Sequence, residues 1–153
     1  MSGLYANPSS RRLLALLVVL LLGWALRVHA LETRSLWADE GWTLVLTEGA
    51  SLADVTRMLA ADQHPPLYFA AFRVWRSLTG ESEFALRFFS VLISIIGVAT
   101  LYQFGRNLFH PLAGLLAALL LALADNHIDL AQEARHYSLL ATLATVSSVF
   151  YVR

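Results

Sequence analysis

The chain has no cysteine among its 153 residues, and that excludes a disulfide scaffold, a thiolate metal site and a cysteine nucleophile together. It also has no lysine: all 11 cationic side chains are arginine. Charged residues make up only 14% of the chain, against 58% hydrophobic, and the mean hydropathy is +0.60. So few charges and so much apolar surface exclude an ordinary soluble domain. The formal net charge of zero offers no basic surface for nucleic acid. No internal repeat or low-complexity segment is visible. Any chemistry must come from oxygen and nitrogen groups.

Four apolar stretches are present, Leu13–Leu31, Phe88–Gly105, Asn107–Ala124 and Tyr137–Val152. A bilayer span needs roughly 20 residues, so these runs are short and their flanking arginines must snorkel. Charge placement favours spans nonetheless. Every acidic residue falls within 32–87 or 125–136, whereas the other intervals hold Arg11, Arg12, Arg106 and Arg153. The positive-inside rule then predicts an all-α, polytopic protein of four transmembrane helices. Its amino terminus and a tight turn around Arg106–Pro111 are cytoplasmic, and the segments 32–87 and 125–136 are external. Pro66–Thr79 is apolar enough to suggest a fifth span, but Arg73 and Arg76 make it an amphipathic helix at the outer interface, with Tyr68, Phe69, Phe72 and Trp75 in the headgroup zone. Arg27 is expected to snorkel at the outer end of the first span. Arg11-Arg12, the apolar run and Val28-His29-Ala30 also resemble a signal peptide with a small-residue cleavage site.

The segment 32–87 is too long for a mere connector. Within it Ser51-Leu52-Ala53-Asp54 reads as a capping box that opens a short helix, whose stripe Leu52, Val55 and Leu59 lies flat on the membrane. Asp39-Glu40 is an adjacent carboxylate pair between Trp37 and Trp42. Those tryptophans fit interface anchors beside solvated acids, and equally fit a base of raised pKa next to rings that stack on a sugar or touch lipid. In His64-Pro65-Pro66-Leu67-Tyr68 two prolines stiffen the backbone between an imidazole and a phenol, which suits either binding groups or the start of an anchoring helix. Gln132-Glu133-Ala134-Arg135-His136-Tyr137 gathers a carboxylate, a guanidinium, an imidazole and a phenol at the mouth of the last span. Glu133 there has an ordinary explanation as an acid near a helix start. Glu83 and Arg87 are spaced for a helical salt bridge, or Arg87 can hold a phosphate.

In this order, from about residue 11 to 153, these motifs resemble the bacterial family 39 glycosyltransferases, relatives of protein O-mannosyltransferases and the lipid A aminoarabinose transferase in the GT-C superfamily. The resemblance implies a multi-pass enzyme of the bacterial inner membrane that moves a sugar from a polyprenyl-phosphate carrier to an extracytoplasmic hydroxyl of a glycan, lipid or protein. It implies Asp39 as catalytic base with Glu40 its catalytic neighbour, and His64 and Arg135 at the carrier phosphate. Glu133 becomes a second acid of the same site, and Tyr68, Arg87, His136 and Tyr137 join the substrate-binding set. No cofactor is certain. A divalent metal, if used, falls to Asp39 and Glu133. Members of the family are longer and have more spans, so residues 1–153 correspond to an amino-terminal part of the transferase domain.

The alternative is a small non-catalytic multi-pass protein, a lipid-binding module or assembly partner whose arginines meet anionic headgroups; it explains the spans but not the ordered motifs. A transporter would place ionisable groups near the midplane, and here they sit at the helix ends. The arginine-only, alanine- and leucine-rich composition suits a GC-rich bacterial genome.

Overall fold

Proline and small polar residues punctuate the chain into helices. The computed structural model describes residues 8–48, 51–62 and 64–152, and among these it contains eight helices and no strand. They are α1 (Pro8–Val28), α2 (Ala38–Thr47), α3 (Leu52–Asp62), α4 (Pro66–Thr79), α5 (Glu83–Leu108), α6 (Pro111–Leu123), α7 (Asp125–Ala131) and α8 (Tyr137–Tyr151). Pro66 and Pro111 stand in the first turns of α4 and α6, where a missing N–H costs nothing. Ser82 and His110 cap α5 and α6 by accepting from Ala85 N and Ala113 N. The expected capping box is present: Asp54 N donates to Ser51 Oγ at 3.2 Å and Ser51 N to Asp54 Oδ2 at 3.1 Å.

The helices α1, α6 and α8 pack around α5, and α2, α3 and α4 gather beyond the end of α5 that begins at Glu83. The α5–α6 hairpin closes so tightly that a Cβ on Gly105 would lie 2.8 Å from Gly114 Cα, so glycine is required where the two backbones meet. Among the described residues only α5 is both long and apolar enough to cross a membrane as one helix. At 26 residues and about 1.5 Å per residue it spans about 39 Å, more than a bilayer's apolar core. The third expected span holds α6, of 13 residues, and at its end the chain bends by 64° into α7, within the expected loop 125–136. The fourth, α8, has 15 residues.

Arg27 does not snorkel. It is 0% exposed and fastens α1 to the bundle. Nε donates to Ser94 Oγ at 2.7 Å, and Nη1 donates to Gly23 O at 2.9 Å and Ala122 O at 3.0 Å. Nη2 donates to Leu121 O at 3.2 Å and lies 2.9 Å from His127 Nδ1, which must accept and is therefore unprotonated at that nitrogen. The guanidinium thus meets two carbonyls in the last turn of α6, where a cation is favoured.

Two expectations for the external segment need correction. Tyr68, Phe69 and Phe72 are not in a headgroup zone but are buried in one cluster with Leu46, Val55, Leu59 and Leu86. The stripe of α3 likewise faces this protein core through Val55 and Leu59. Trp75 is part-buried and donates from Nε1 to Ala85 O at 2.7 Å. Arg73 and Arg76 point back to the end of α2, to Thr47 O at 3.4 Å and Leu44 O at 3.3 Å, and Arg76 also pairs with Glu81. The apolar content that suggests membrane contact is spent on a small core beyond the start of α5, because seven apolar side chains within reach of one another bury more area together than flat on an interface.

Candidate functional site

Glu40 and Arg87 form the joint on which this end of the bundle is built. Arg87 lies in the second turn of α5, and its five N–H donors meet five acceptors. Nε and Nη2 bind the Glu40 carboxylate in fork geometry at 2.9 and 2.7 Å, and the remaining hydrogens reach Leu31 O, Arg34 O and Ser35 O at 2.9, 2.7 and 3.2 Å. Glu40 in turn accepts from Ala134 N at 2.9 Å and from Trp37 N, its own helix start, at 3.3 Å. Its side chain is 1% exposed. Burial alone would raise the Glu40 carboxyl, but the Arg87 guanidinium and the two backbone N–H groups outweigh it and hold the group below its ordinary range. A single ion pair therefore fixes the turn at 31–35, the start of α2, the start of α5 and the segment before α8. The helical pairing of Arg87 with Glu83 is replaced by this longer-range bond, and Arg87 has no donor left for a phosphate.

Asp39, one residue away, faces the other direction. Its side chain is 47% exposed and one carboxylate oxygen lies 3.8 Å from Arg135 Nη2. Arg135 is buried and held in place: Nη1 donates to Asp39 O at 3.1 Å and to Thr43 Oγ1 at 3.4 Å, and its guanidinium carbon sits 5.9 Å from the Tyr137 ring centre. Arg135 Nε, His136 Nδ1 and Ser138 Oγ are buried with no hydrogen-bond partner among the described residues. Three such atoms within four residues form an unfilled polar edge. Burial, and then the charge of Arg135, lower the His136 pKa, so the ring is neutral near pH 7. The His64 ring packs edge-on to His136, with centres 5.5 Å apart.

Tyr68 takes no part in the open edge. Its hydroxyl is 3.0 Å from Ser90 Oγ, and Ser90 donates its one hydrogen to Arg135 O at 3.2 Å, so Tyr68 donates to Ser90. Burial pushes the phenol pKa up, and it remains a donor at all ordinary pH.

On the far side of the Glu40–Arg87 pair lies a cavity of about 480 Å³ whose lining includes Thr33, Arg34, Trp37, Asp129, Gln132 and Glu133. The Glu133 carboxylate makes no hydrogen bond or ion pair among the described residues. Burial and, next, the charge of Glu40 raise its pKa. Gln132 fixes the cavity wall by donating to Arg27 O at 3.1 Å and His29 O at 2.9 Å, the last carbonyls of α1.

The structure thus gathers Asp39, Arg135, His136, Tyr137 and His64 at one edge and places Glu133 in the adjoining cavity. Glu40, Arg87 and Tyr68 lie in the framework beneath. Among the described residues no three His, Asp or Glu side chains converge as a metal site, so Asp39 and Glu133 do not by themselves make a fitting ligand set. The sequence motifs do not include Ser90 or Thr43, and they include Gln132 without a role of its own. A serine inside the apolar run of α5 was the visible signal for the first, since a hydroxyl there needs a partner.

Neither the curated proteins nor the solved structures contain a match to this chain. A family model, dolichyl-phosphate-mannose-protein mannosyltransferase, matches residues 63–153, which include His64, Arg87 and the whole 132–137 cluster and begin after Asp39. With that match over more than half its length, the chain belongs to the dolichyl-phosphate-mannose-protein mannosyltransferase family of GT-C glycosyltransferases.

Proposed function

We propose that the chain forms the outward-facing reaction edge of a membrane glycosyltransferase that takes a sugar from a polyprenyl-phosphate carrier to an extracytoplasmic hydroxyl. The observation that carries this reading is the pairing of an exposed carboxylate, Asp39, with a buried arginine, Arg135, beside polar atoms that have no partner among the described residues. In the reaction the acceptor oxygen bonds to the anomeric carbon as the bond from that carbon to the phosphate oxygen breaks. Asp39 takes the acceptor's proton, and the phosphate leaves with the electron pair, its charge met by Arg135 and a polar His136 or His64. Trp37 offers a ring face to the sugar from the cavity rim, and Glu133 is a polar contact to its hydroxyls. Glu40, Arg87 and Tyr68 hold these groups in place without touching substrate.

Four membrane crossings by α1, α5, α6 and α8 suit the same reading. Beyond α5, support comes from apolar side chains that face outward: Leu13, Leu14, Leu17, Val18 and Leu21 on α1, and Leu112, Leu116 and Leu120 on α6. A soluble protein seldom leaves stripes of that size uncovered. In this orientation α2, α3, α4 and α7 are extracytoplasmic, and the amino terminus is cytoplasmic, in a bacterial inner membrane.

The test is transfer of radiolabelled mannose from polyprenyl-phosphate mannose in membranes that contain the chain, beside membranes that lack it. Transfer above the control is the expected result. Background transfer in membranes shown to hold the inserted chain contradicts a self-sufficient enzyme and favours the non-catalytic membrane protein.

A further inference from the structure

The end of the bundle opposite the reaction edge carries a second cavity, of about 700 Å³, between α1, α5 and α6. Its walls include Leu13, Leu16, Ala99, Phe109 and Pro111, and its rim carries Arg12, Arg106 and His110. Arg12 and Arg106 make no hydrogen bond or ion pair among the described residues, and no acidic residue occurs anywhere in α1, in α6 or in α5 after Glu83. A rim of two uncompensated guanidiniums above apolar walls has the polarity of an amphiphile with an anionic head and a hydrocarbon body. Positive charge at the end of a transmembrane helix alone needs no such ligand, since it only sets orientation. Here, however, the charges border a cleft between three helices, deep enough to take a headgroup with the start of its acyl chains.

We infer that this cleft binds an anionic phospholipid of the cytoplasmic leaflet, with the phosphate held between Arg12 and Arg106 and the acyl chains against Leu13, Leu16 and Phe109. The inference rests on the reading that α1, α5 and α6 cross the membrane, and is independent of the catalytic assignment. Charge complementarity selects the occupant: a zwitterionic lipid brings its own cation to a rim that already has two. The site joins α1 to the α5–α6 hairpin at the end where Arg27 does not reach.

The experiment is native mass spectrometry of the full chain released from detergent, titrated with phosphatidylglycerol, phosphatidylcholine or polyprenyl phosphate. The unaltered chain and an Arg12→Gln/Arg106→Gln variant are compared. The expected result is retention of one phosphatidylglycerol in preference to phosphatidylcholine, weakened about tenfold or more in the variant. Both arginines are exposed and unpaired, so the variant keeps its helix content and its transfer activity. Equal retention of phosphatidylglycerol by the variant, or equal retention of phosphatidylcholine by the unaltered chain, overturns the inference. Polyprenyl phosphate displacing phosphatidylglycerol at the arginines overturns the choice of occupant. Alkaline carbonate extraction is run in parallel: release of the chain from membranes would sink the spanning reading itself, an outcome distinct from loss of lipid selectivity in a membrane-resident chain.

Discussion

Adjacent residues can have opposite duties when a helix start turns one inward and the other outward. Asp39 and Glu40 occupy the first turn of α2, where carboxylates are favoured by the helix dipole. Glu40 is enclosed by Arg87, Ala134 N and Trp37 N, whereas Asp39 meets solvent and Arg135. Removing one partner of a buried ion pair strands the other, so Glu40→Gln or Arg87→Met should cost about 3 to 5 kcal/mol. Thermal melting of the purified variants checks this, and melting unchanged from the parent would contradict the framework role. The pH dependence has the same origin. Because its folded pKa lies below the ordinary value of 4.5, Glu40 adds stability that is complete above that value and lost as pH falls through the lower one. His136 acts in the same direction: its depressed pKa means that acidification below its ordinary 6.5 charges the unfolded chain first, and stability falls until the folded ring also protonates. Acid titration of the melting temperature should therefore show a decline that starts near 6.5 and steepens below 4.5. His136→Gln should lessen the first part without abolishing it, because His127, whose pKa burial lowers to about 4, contributes there too.

At the scale of elements, α5 is the post against which α1, α6 and α8 are placed, and its small residues set how near they come. Gly97 faces Thr142 of α8, and an added Cβ would stand 2.6 Å from Thr142 Oγ1, which donates to Ile93 O at 3.0 Å. Gly97→Ala should cost about 1 to 3 kcal/mol through overpacking. Thr142→Ala in the same chain should restore part of the loss, and melting of the single and double variants tests this; an additive loss would contradict the contact. Six of the eight helices were legible in the sequence, while α2 and α7 lie where it showed only a carboxylate pair and a loop. Pro66–Thr79 was bounded correctly because its start is a proline and its end a glycine, and the capping box of α3 was visible in four residues. What stayed hidden was the partner of each apolar or charged group. Tyr68 and Phe72 have the spacing of an interfacial stripe and of a buried one alike, and only the fold shows that α2 and α3 cover them. Arg27 looked like a snorkelling residue because its acceptors, the last carbonyls of α6, lie nearly a hundred positions away. The candidate site was legible as residue types in two clusters, but the division between framework and open edge depends on distances no spacing supplies.

For the whole molecule, the acidic residues and the candidate site share one end, and Arg12 and Arg106 lie at the other, a polarity that fits a protein set in a membrane in one orientation. The cysteine-free sequence makes this directly measurable. A single Glu48→Cys should react with a membrane-impermeant maleimide in intact cells, and Asn107→Cys only after the membrane is opened. Equal labelling of both would contradict the crossing of α5. The central claim is that chemistry belongs to Asp39 and architecture to Glu40. Its most direct test is mannose transfer from polyprenyl-phosphate mannose in membranes that hold equal amounts of the parent chain and of Asp39→Asn, with melting measured on the same preparations. The account predicts that Asp39→Asn melts with the parent and loses transfer by at least about a hundredfold, as expected when a general base is removed. Transfer retained by Asp39→Asn at the parent's rate would contradict it.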